Sequence, residues 1–228
     1  MTDNLPYATP KSALGPTLWL KVILEKIEFK IGKPSSTDRM LDHPLILKEL
    51  ENNRHIPYWA DLWPAANMLG KVLLREPMEK GARVLEIGCG LGLGGVAALS
   101  RGAQVTFSDY DATALEFAAQ NARANGFTQF DTLQLDWKNP PPGLSFPWLI
   151  ASDLIYETAN VEPLVQLIQK VLQPGGKCLL TDQDRIPAGL LKPTLTAAGL
   201  EFTTEMVRAG VPGGDRFKGT LYRITQRG

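Results

Sequence analysis

From Arg83 onward, short apolar runs alternate with longer stretches whose apolar residues recur every three or four positions. The runs at 83–87, 104–108, 131–136, 147–152 and 177–181 have the length and continuity of buried strands. The stretches at 92–101, 111–125, 160–172 and 187–198 have the length and period of helices. Asp111 stands where an N-cap is wanted, and Asn125-Gly126 marks a helix stop. A Pro-rich loop at 139–143 and the turn Pro174-Gly175-Gly176 punctuate the series. Two final apolar runs, 200–208 and 217–225, flank Pro212-Gly213-Gly214. That link is too short for a crossover, so these strands pair antiparallel. The pattern predicts an α/β fold: a Rossmann-like, doubly wound, seven-stranded sheet closing on an antiparallel C-terminal hairpin.

The first third of the chain reads differently. Residues 17–24 and 27–31 alternate as strands, 32–38 reads as a turn, and 44–52 as a short helix or loop. Leu69, Val72 and Leu73 give 63–76 the stripe of an amphipathic helix. Pro6, Pro10, Gly15 and Pro16 break up residues 1–16, which read as a loose tail. The expected organisation is an N-terminal tail and β/α extension over 1–56 and the main domain over 57–228. No internal repeat is visible.

Composition narrows the function classes. Lys plus Arg and Asp plus Glu each number 24, so no global field draws the chain to nucleic acid or to an anionic membrane. A 44% hydrophobic content is enough for a sizeable core. Cys89 and Cys178 both fall in core segments and read as buried, reduced thiols. With His43 and His55 in unrelated contexts, no metal site is expected. The polar, Pro-rich start shows no signal peptide, and no run has the length of a membrane span, so the expected location is cytoplasmic.

The densest chemistry lies at 83–95, Arg-Val-Leu-Glu-Ile-Gly-Cys-Gly-Leu-Gly-Leu-Gly-Gly. A buried strand runs into a turn with Gly88, Gly90 and Gly92, then into a helix start with free N–H groups. Asp109 ends the second strand, where a carboxylate can accept from both hydroxyls of a ribose. The chain is therefore expected to bind a nucleoside-containing cofactor. Gly90, Gly92 and Gly95 also satisfy G-x-G-x-x-G, so NAD is an open alternative. Glu86 weighs against it, because a carboxylate there repels a pyrophosphate and attracts a cation. S-adenosyl-L-methionine carries an ammonium and a sulfonium and no phosphate.

Ligands of doubly wound sheets bind outside the carboxyl ends of the strands. Four successive strand ends here carry Glu86, Asp109-Tyr110, Asp136-Trp137 and Ser152-Asp153. Taken singly, each acidic residue could be a helix cap or a solvated loop residue; together they make a coherent site. Glu86 is assigned to the methionine ammonium, directly or through water, Asp109 to the ribose and Asp136 to the adenine amino group. Tyr110 and Trp137 offer ring faces to adenine. Upstream, Pro57-Tyr58-Trp59-Ala60-Asp61-Leu62-Trp63-Pro64 is either a core anchor or a water-excluding wall over the cofactor.

Tyr-Trp-Ala-Asp-Leu-Trp-Pro, Val-Leu-Glu-Ile-Gly-Cys-Gly-Leu-Gly, Leu-Asp-Trp and Ser-Asp-Leu-Ile-Tyr-Glu together carry a resemblance. Over about residues 55–185 the chain resembles the class I, seven-β-strand methyltransferases of the protein-lysine methyltransferase group called methyltransferase family 16. The glycine turn is shared widely among enzymes using this cofactor. The Trp-Pro segment together with Asp-x-x-Tyr is much more specific. The resemblance implies that Asp153 and Tyr156 line the methyl-transfer site, that Trp63 contacts the cofactor, and that the N-terminal strands and helix recognise substrate. It also leaves the acceptor nitrogen open, since members of the group modify lysine or arginine.

The resulting expectation is N-methylation of a protein lysine side chain by S-adenosyl-L-methionine, leaving S-adenosyl-L-homocysteine. Its partner is a protein substrate, with neither nucleic acid nor membrane involved. A small-molecule N-methyltransferase acting on a nicotinamide-like amine is the alternative. A non-catalytic cofactor-binding scaffold is a third reading, and the intact Asp153/Tyr156 pair weighs against it.

Overall fold

A computed structural model describes residues 7–51, 56–210 and 216–226 of the 228. His55, residue 52 of the expected 44–52 helix and the Pro212-Gly213-Gly214 turn lie outside the described residues.

Seven strands form one sheet in the order β5-β4-β3-β6-β7-β9-β8. They are β3 (Arg83–Ile87), β4 (Gln104–Asp109), β5 (Asp131–Gln134), β6 (Phe146–Ser152), β7 (Leu172–Asp182), β8 (Leu200–Gly210) and β9 (Arg216–Gln226). The first five run parallel. β9 inserts antiparallel between β7 and β8. The expected fold class is therefore the observed one. Its helices are α3 (Pro64–Arg75), α4 (Leu93–Ser100), α5 (Ala112–Ala124), α6 (Thr158–Val171) and α7 (Leu191–Ala197).

Strand alternation divides the core in two. Val84, Val105, Phe107, Ile150 and Leu179 point to the face covered by α3, α4 and α5. Leu85, Ile87, Leu149, Ala151, Cys178 and Leu180 point to the face covered by α6 and α7. A one-residue slip would exchange these sets, so the pleat holds the register. Both thiols are buried and free.

Several boundaries differ from the sequence reading, and the expected turn Pro174-Gly175-Gly176 lies inside β7. The third strand ends at Gln134, because Asp136 folds into a tight turn that accepts the Lys138 amide at 2.9 Å. The expected 187–198 helix begins as a 3-10 turn, Ile186–Leu190, carrying Pro187, before α7. The expected turn at 32–38 ends in a short helix, α1 (Thr37–Leu41), followed by α2 (Pro44–Glu51). The 1–16 segment is no loose tail where it is described: Thr9, Ala13 and Leu14 are buried, and Tyr7 bridges to Asp111.

The N-terminal strands β1 (Thr17–Leu24) and β2 (Ile27–Pro34) form their own antiparallel pair. Two asparagines four residues apart, Asn121 on α5 and Asn125 at its C-terminal cap, hold the edge of that pair. Asn121 exchanges hydrogen bonds with the backbone of Gly32, and Asn125 with that of Lys30. Leu24, Phe29 and Ile31 join the α3–α5 core.

Candidate active site

A cavity of about 660 Å³ opens at the carboxyl ends of β3, β4 and β6, within the size range of cofactor sites. Gly88, Gly90, Gly92, Asp109, Tyr110, Asp136, Trp137 and Ser152 line it, and so do Trp63, Asp153 and Tyr156. Eleven of the twelve residues singled out in the sequence thus meet at one place. The exception is Glu86.

The glycine turn has a steric basis. Gly88, Gly90 and Gly92 all have positive φ, +59°, +51° and +77°. A Cβ on Gly92 would lie 2.8 Å from that of Ala118, and one on Gly88 2.5 Å from Leu154. The turn leads into α4, whose first N–H groups are ordinarily an anion site. Here that site is filled from within. Glu86, on the penultimate residue of β3, points to the α4 face rather than out of the strand end, and its Oε2 accepts from the Gly95 amide at 2.9 Å. Gly94 and Gly95 are glycines because a Cβ on either would strike that carboxyl, at 2.4 and 2.7 Å. Burial pushes Glu86 up to about 8, against the Gly95 hydrogen bond that lowers it. Glu86 therefore supports the turn from beneath and does not line the cavity, where it would hold an ammonium directly.

Asp109 is buried, with Oδ2 accepting from the Gly90 amide at 2.9 Å and Oδ1 from the Asp111 amide at 3.0 Å. These bonds fix the carboxylate in the cavity wall. Asp136 is pinned likewise, accepting from the Lys138 amide and from Asn139 Nδ2 at 3.0 Å. Tyr110 exposes 41% of its surface beside them, and Trp137 packs on the α6 side of the core. A carboxylate aimed between turn and strand end, with a second carboxylate and two rings beyond, fits a ribose and an adenine.

The other end of the cavity is aromatic and ionic. The Tyr58 ring lies 4.8 Å from that of Tyr156 and 6.3 Å from that of Trp63, whose Nε1 donates to the Tyr58 carbonyl at 2.8 Å. Burial and then the Glu157 charge push the Tyr156 phenol up to about 12, so it stays protonated. Asp153 has a left-handed backbone, φ +58°, rare for a non-glycine and characteristic of functional sites. Its carboxylate is already paired. Arg185 Nε donates to Oδ1 at 3.2 Å, while Arg185 Nη2 and Gln183 Nε2 donate to Oδ2 at 3.1 and 2.7 Å. The same guanidinium stacks 5.1 Å over Trp63. Beneath it, burial and the charge of Asp153 push Asp182 up to about 6.

Sequence reasoning missed Gln183, Arg185 and Asp182. Their position just past the fifth parallel strand was the available signal, being the next strand end in the series. It also missed the role of Asp111, whose carboxylate accepts from the Thr113 amide, from Trp59 Nε1 at 2.8 Å, and from Thr9. Ser12 Oγ and His43 Nε2 lie 3.1 Å apart at an exposed position outside this cavity. Among the described residues, no cluster of three or more His, Cys, Asp or Glu could hold a metal ion.

A sequence model of the family described as lysine methyltransferase matches residues 42–192, two thirds of the chain. The chain belongs to this family. S-adenosyl-L-methionine is the cofactor that family and fold imply, and the pinned carboxylates of Asp109 and Asp136 fit it. A histidine protein methyltransferase 1 homolog of Dictyostelium discoideum is 33% identical over 54% of this chain and 42% of its own length. The electron transfer flavoprotein beta subunit lysine methyltransferase of Xenopus laevis is 31% identical over 57% of this chain and 53% of its own. The chain thus spans about half the length of these curated relatives. A TehB-like SAM-dependent methyltransferase from Corynebacterium glutamicum superposes with a TM-score of 0.54 over 79% of this chain and 94% of its own, at 16% identity, which shows the shared fold.

Proposed function

We propose that this protein is an S-adenosyl-L-methionine-dependent N-methyltransferase whose acceptor is a lysine side chain of another protein. The observation that carries this reading is the acceptor end of the cavity, where a paired, buried carboxylate and three aromatic rings stand past the cofactor carboxylates. The family description and the lysine and histidine acceptors printed in relatives' names support a protein nitrogen as the target.

The sulfonium supplies the leaving group and the activated methyl. The protein's task is therefore to orient a neutral nitrogen in line with it and to keep water out. Asp109, Asp136 and the glycine turn hold the nucleoside. Tyr58, Tyr156 and Trp63 desolvate the approach. Asp153 Oδ1, which keeps a lone pair beside the Arg185 bond, accepts from one acceptor N–H and so points the nitrogen's own lone pair forward. Because Arg185 already neutralises Asp153, the carboxylate orients the acceptor rather than deprotonating it. The N-terminal strands β1 and β2 and helices α1 and α2 are assigned to substrate recognition. Asp61, in the cavity wall, pairs with Lys33 and accepts from Thr37 Oγ1 at 2.9 Å, tying that extension to the site. Among the described residues no helix is long and apolar enough to cross a membrane. With both thiols free, we place the activity in the cytoplasm.

Incubating the protein with tritiated S-adenosylmethionine and a methylase-deficient lysate tests the proposal. A labelled protein band yielding Nε-methyl-lysine on hydrolysis is expected. Label only in the small-molecule fraction would replace this reading with the small-amine one.

A further inference from the structure

We infer that the segment Tyr7–Thr9 is a working part of the cofactor site, a strap whose Thr9 holds three walls of the cavity in register. This rests on the cofactor reading above. The walls are the glycine turn, the Asp109-Tyr110 loop and the aromatic segment 58–63, and they meet at the fully buried Asp111. A helix N-cap needs one acceptor, and Asp111 gives that to the Thr113 amide at 2.8 Å. The rest of its carboxylate serves two other parts of the chain. Trp59 Nε1 donates to Oδ2 at 2.8 Å. The Thr9 amide donates to Oδ1 at 3.0 Å and the Thr9 hydroxyl to Oδ2. Thr113 Oγ1 returns a hydrogen bond to the Thr9 carbonyl at 2.8 Å.

Each arm of this knot leads to the cavity. The Asp111 amide donates to the ribose-side carboxylate of Asp109, whose other oxygen holds the Gly90 amide. A Cβ on Gly90 would sit 3.4 Å from the Trp59 carbonyl, so the turn and the aromatic segment are already in contact. Upstream of Thr9, the Tyr7 carbonyl accepts from the Ala112 amide at 3.0 Å and from Gln134 Nε2 at 2.8 Å. The same Gln134 nitrogen donates to the Tyr110 carbonyl. The Tyr7 ring stacks on that of Tyr110, centroids 6.1 Å apart and 13° from parallel. The strap therefore backs the adenine-side ring, the ribose-side carboxylate and the aromatic wall at once. A segment that served only to fill the core would need no contact with all three. Tyr7 and Thr9 are positioning residues, since they act through Tyr110 and Asp111.

If closing the strap and filling the cavity are one event, ligand stabilises the closed strap and loosening the strap weakens the ligand by the same factor. Calorimetry of S-adenosyl-L-homocysteine with the full chain reads the second half. Thr9→Val, which keeps shape and amide but loses the hydroxyl, should raise Kd about tenfold, and Thr9→Ser should restore it. Lys11→Ala, which removes an exposed pair with Glu116 of α5 just beyond the strap, should leave it unchanged. Hydrogen exchange on the wild-type protein reads the first half without mutation. Saturating S-adenosyl-L-homocysteine should slow exchange at the Thr9 and Ala112 amides about tenfold. Unaltered protection there, or a Thr9→Val affinity within twofold of wild type, would overturn the strap's role and leave the cofactor reading standing. No binding by the wild type would overturn both.

Discussion

The two ends of the cavity are built on different principles. At the cofactor end, backbone amides aim the side chains: Gly90 and Asp111 hold Asp109, and Lys138 holds Asp136. All the parts come from three consecutive strand ends, two leading into helices α4 and α5 and the third into the loop before β6. At the acceptor end, side chains aim side chains. Asp153 from one loop is held by Gln183 and Arg185 from another, and Arg185 lies on Trp63 from a third. Two non-glycine residues there, Asp153 and Asp184, have left-handed backbones, both at φ +58°. The first construction relies on local backbone geometry and suits a cofactor common to the whole family. The second relies on side chains brought together from distant loops, as would suit an acceptor that differs between relatives, whose names print histidine, lysine and arginine.

The largest test of that contrast removes the centre of the cofactor end. Asp109→Ala leaves two backbone amides and a ribose without an acceptor. S-adenosyl-L-homocysteine affinity by calorimetry should fall about a hundredfold, roughly 2.7 kcal/mol. A loss under threefold would mean that the turn alone binds the nucleoside.

At the acceptor end the prediction is the opposite split. Arg185→Gln and Asp153→Asn should leave S-adenosyl-L-homocysteine binding within about threefold of wild type. Turnover should drop about tenfold, near 1.4 kcal/mol in the barrier. Arg185→Lys keeps the charge without the fork and should recover only part of the rate. If cofactor affinity fell instead, the two ends would not be separable. Tyr156→Phe removes only a protonated hydroxyl and should cost less than either, about threefold in turnover at unchanged affinity.

The smallest effect is on stability and concerns Glu86. Its folded pKa, about 8, lies above the unfolded value near 4.5. The unfolded chain therefore releases the proton first, and the contribution of this group to stability falls as pH rises from about 4.5 to 8. Glu86→Gln keeps the acceptor for the Gly95 amide and cannot ionise. Its melting temperature should exceed that of wild type by a few degrees at pH 8.5 and converge with it near pH 5. A difference independent of pH would show that the buried carboxyl is not the titrating group.

Most of the α/β order and the cofactor end were legible because they are local. A strand end, a glycine turn and a helix start sit within about a dozen residues, and period and turn chemistry report such units directly. Asp109, Tyr110, Asp136 and Trp137 could be placed once the strand ends were known. Glu86 shows the limit of that logic: it is adjacent to the turn in sequence, but the pleat sends its side chain beneath the turn. Arg185 and Thr9 were invisible for a different reason. Their partners, Asp153 and Asp111, lie 32 and 102 residues away, and nothing in their own neighbourhood marks them.

The sequence by itself determined the sheet-and-helix order, the C-terminal hairpin, the cofactor class and the strand ends that line the cavity. It did so because burial and turn geometry leave a periodic trace in neighbouring residues. Only the tertiary structure decided that Glu86 faces inward, that Asp153 is already paired with Arg185, and that residues 7–14 fold onto the β4 end. Those are choices among buried polar groups, each of which must find its hydrogen-bond partner wherever the packed chain brings one.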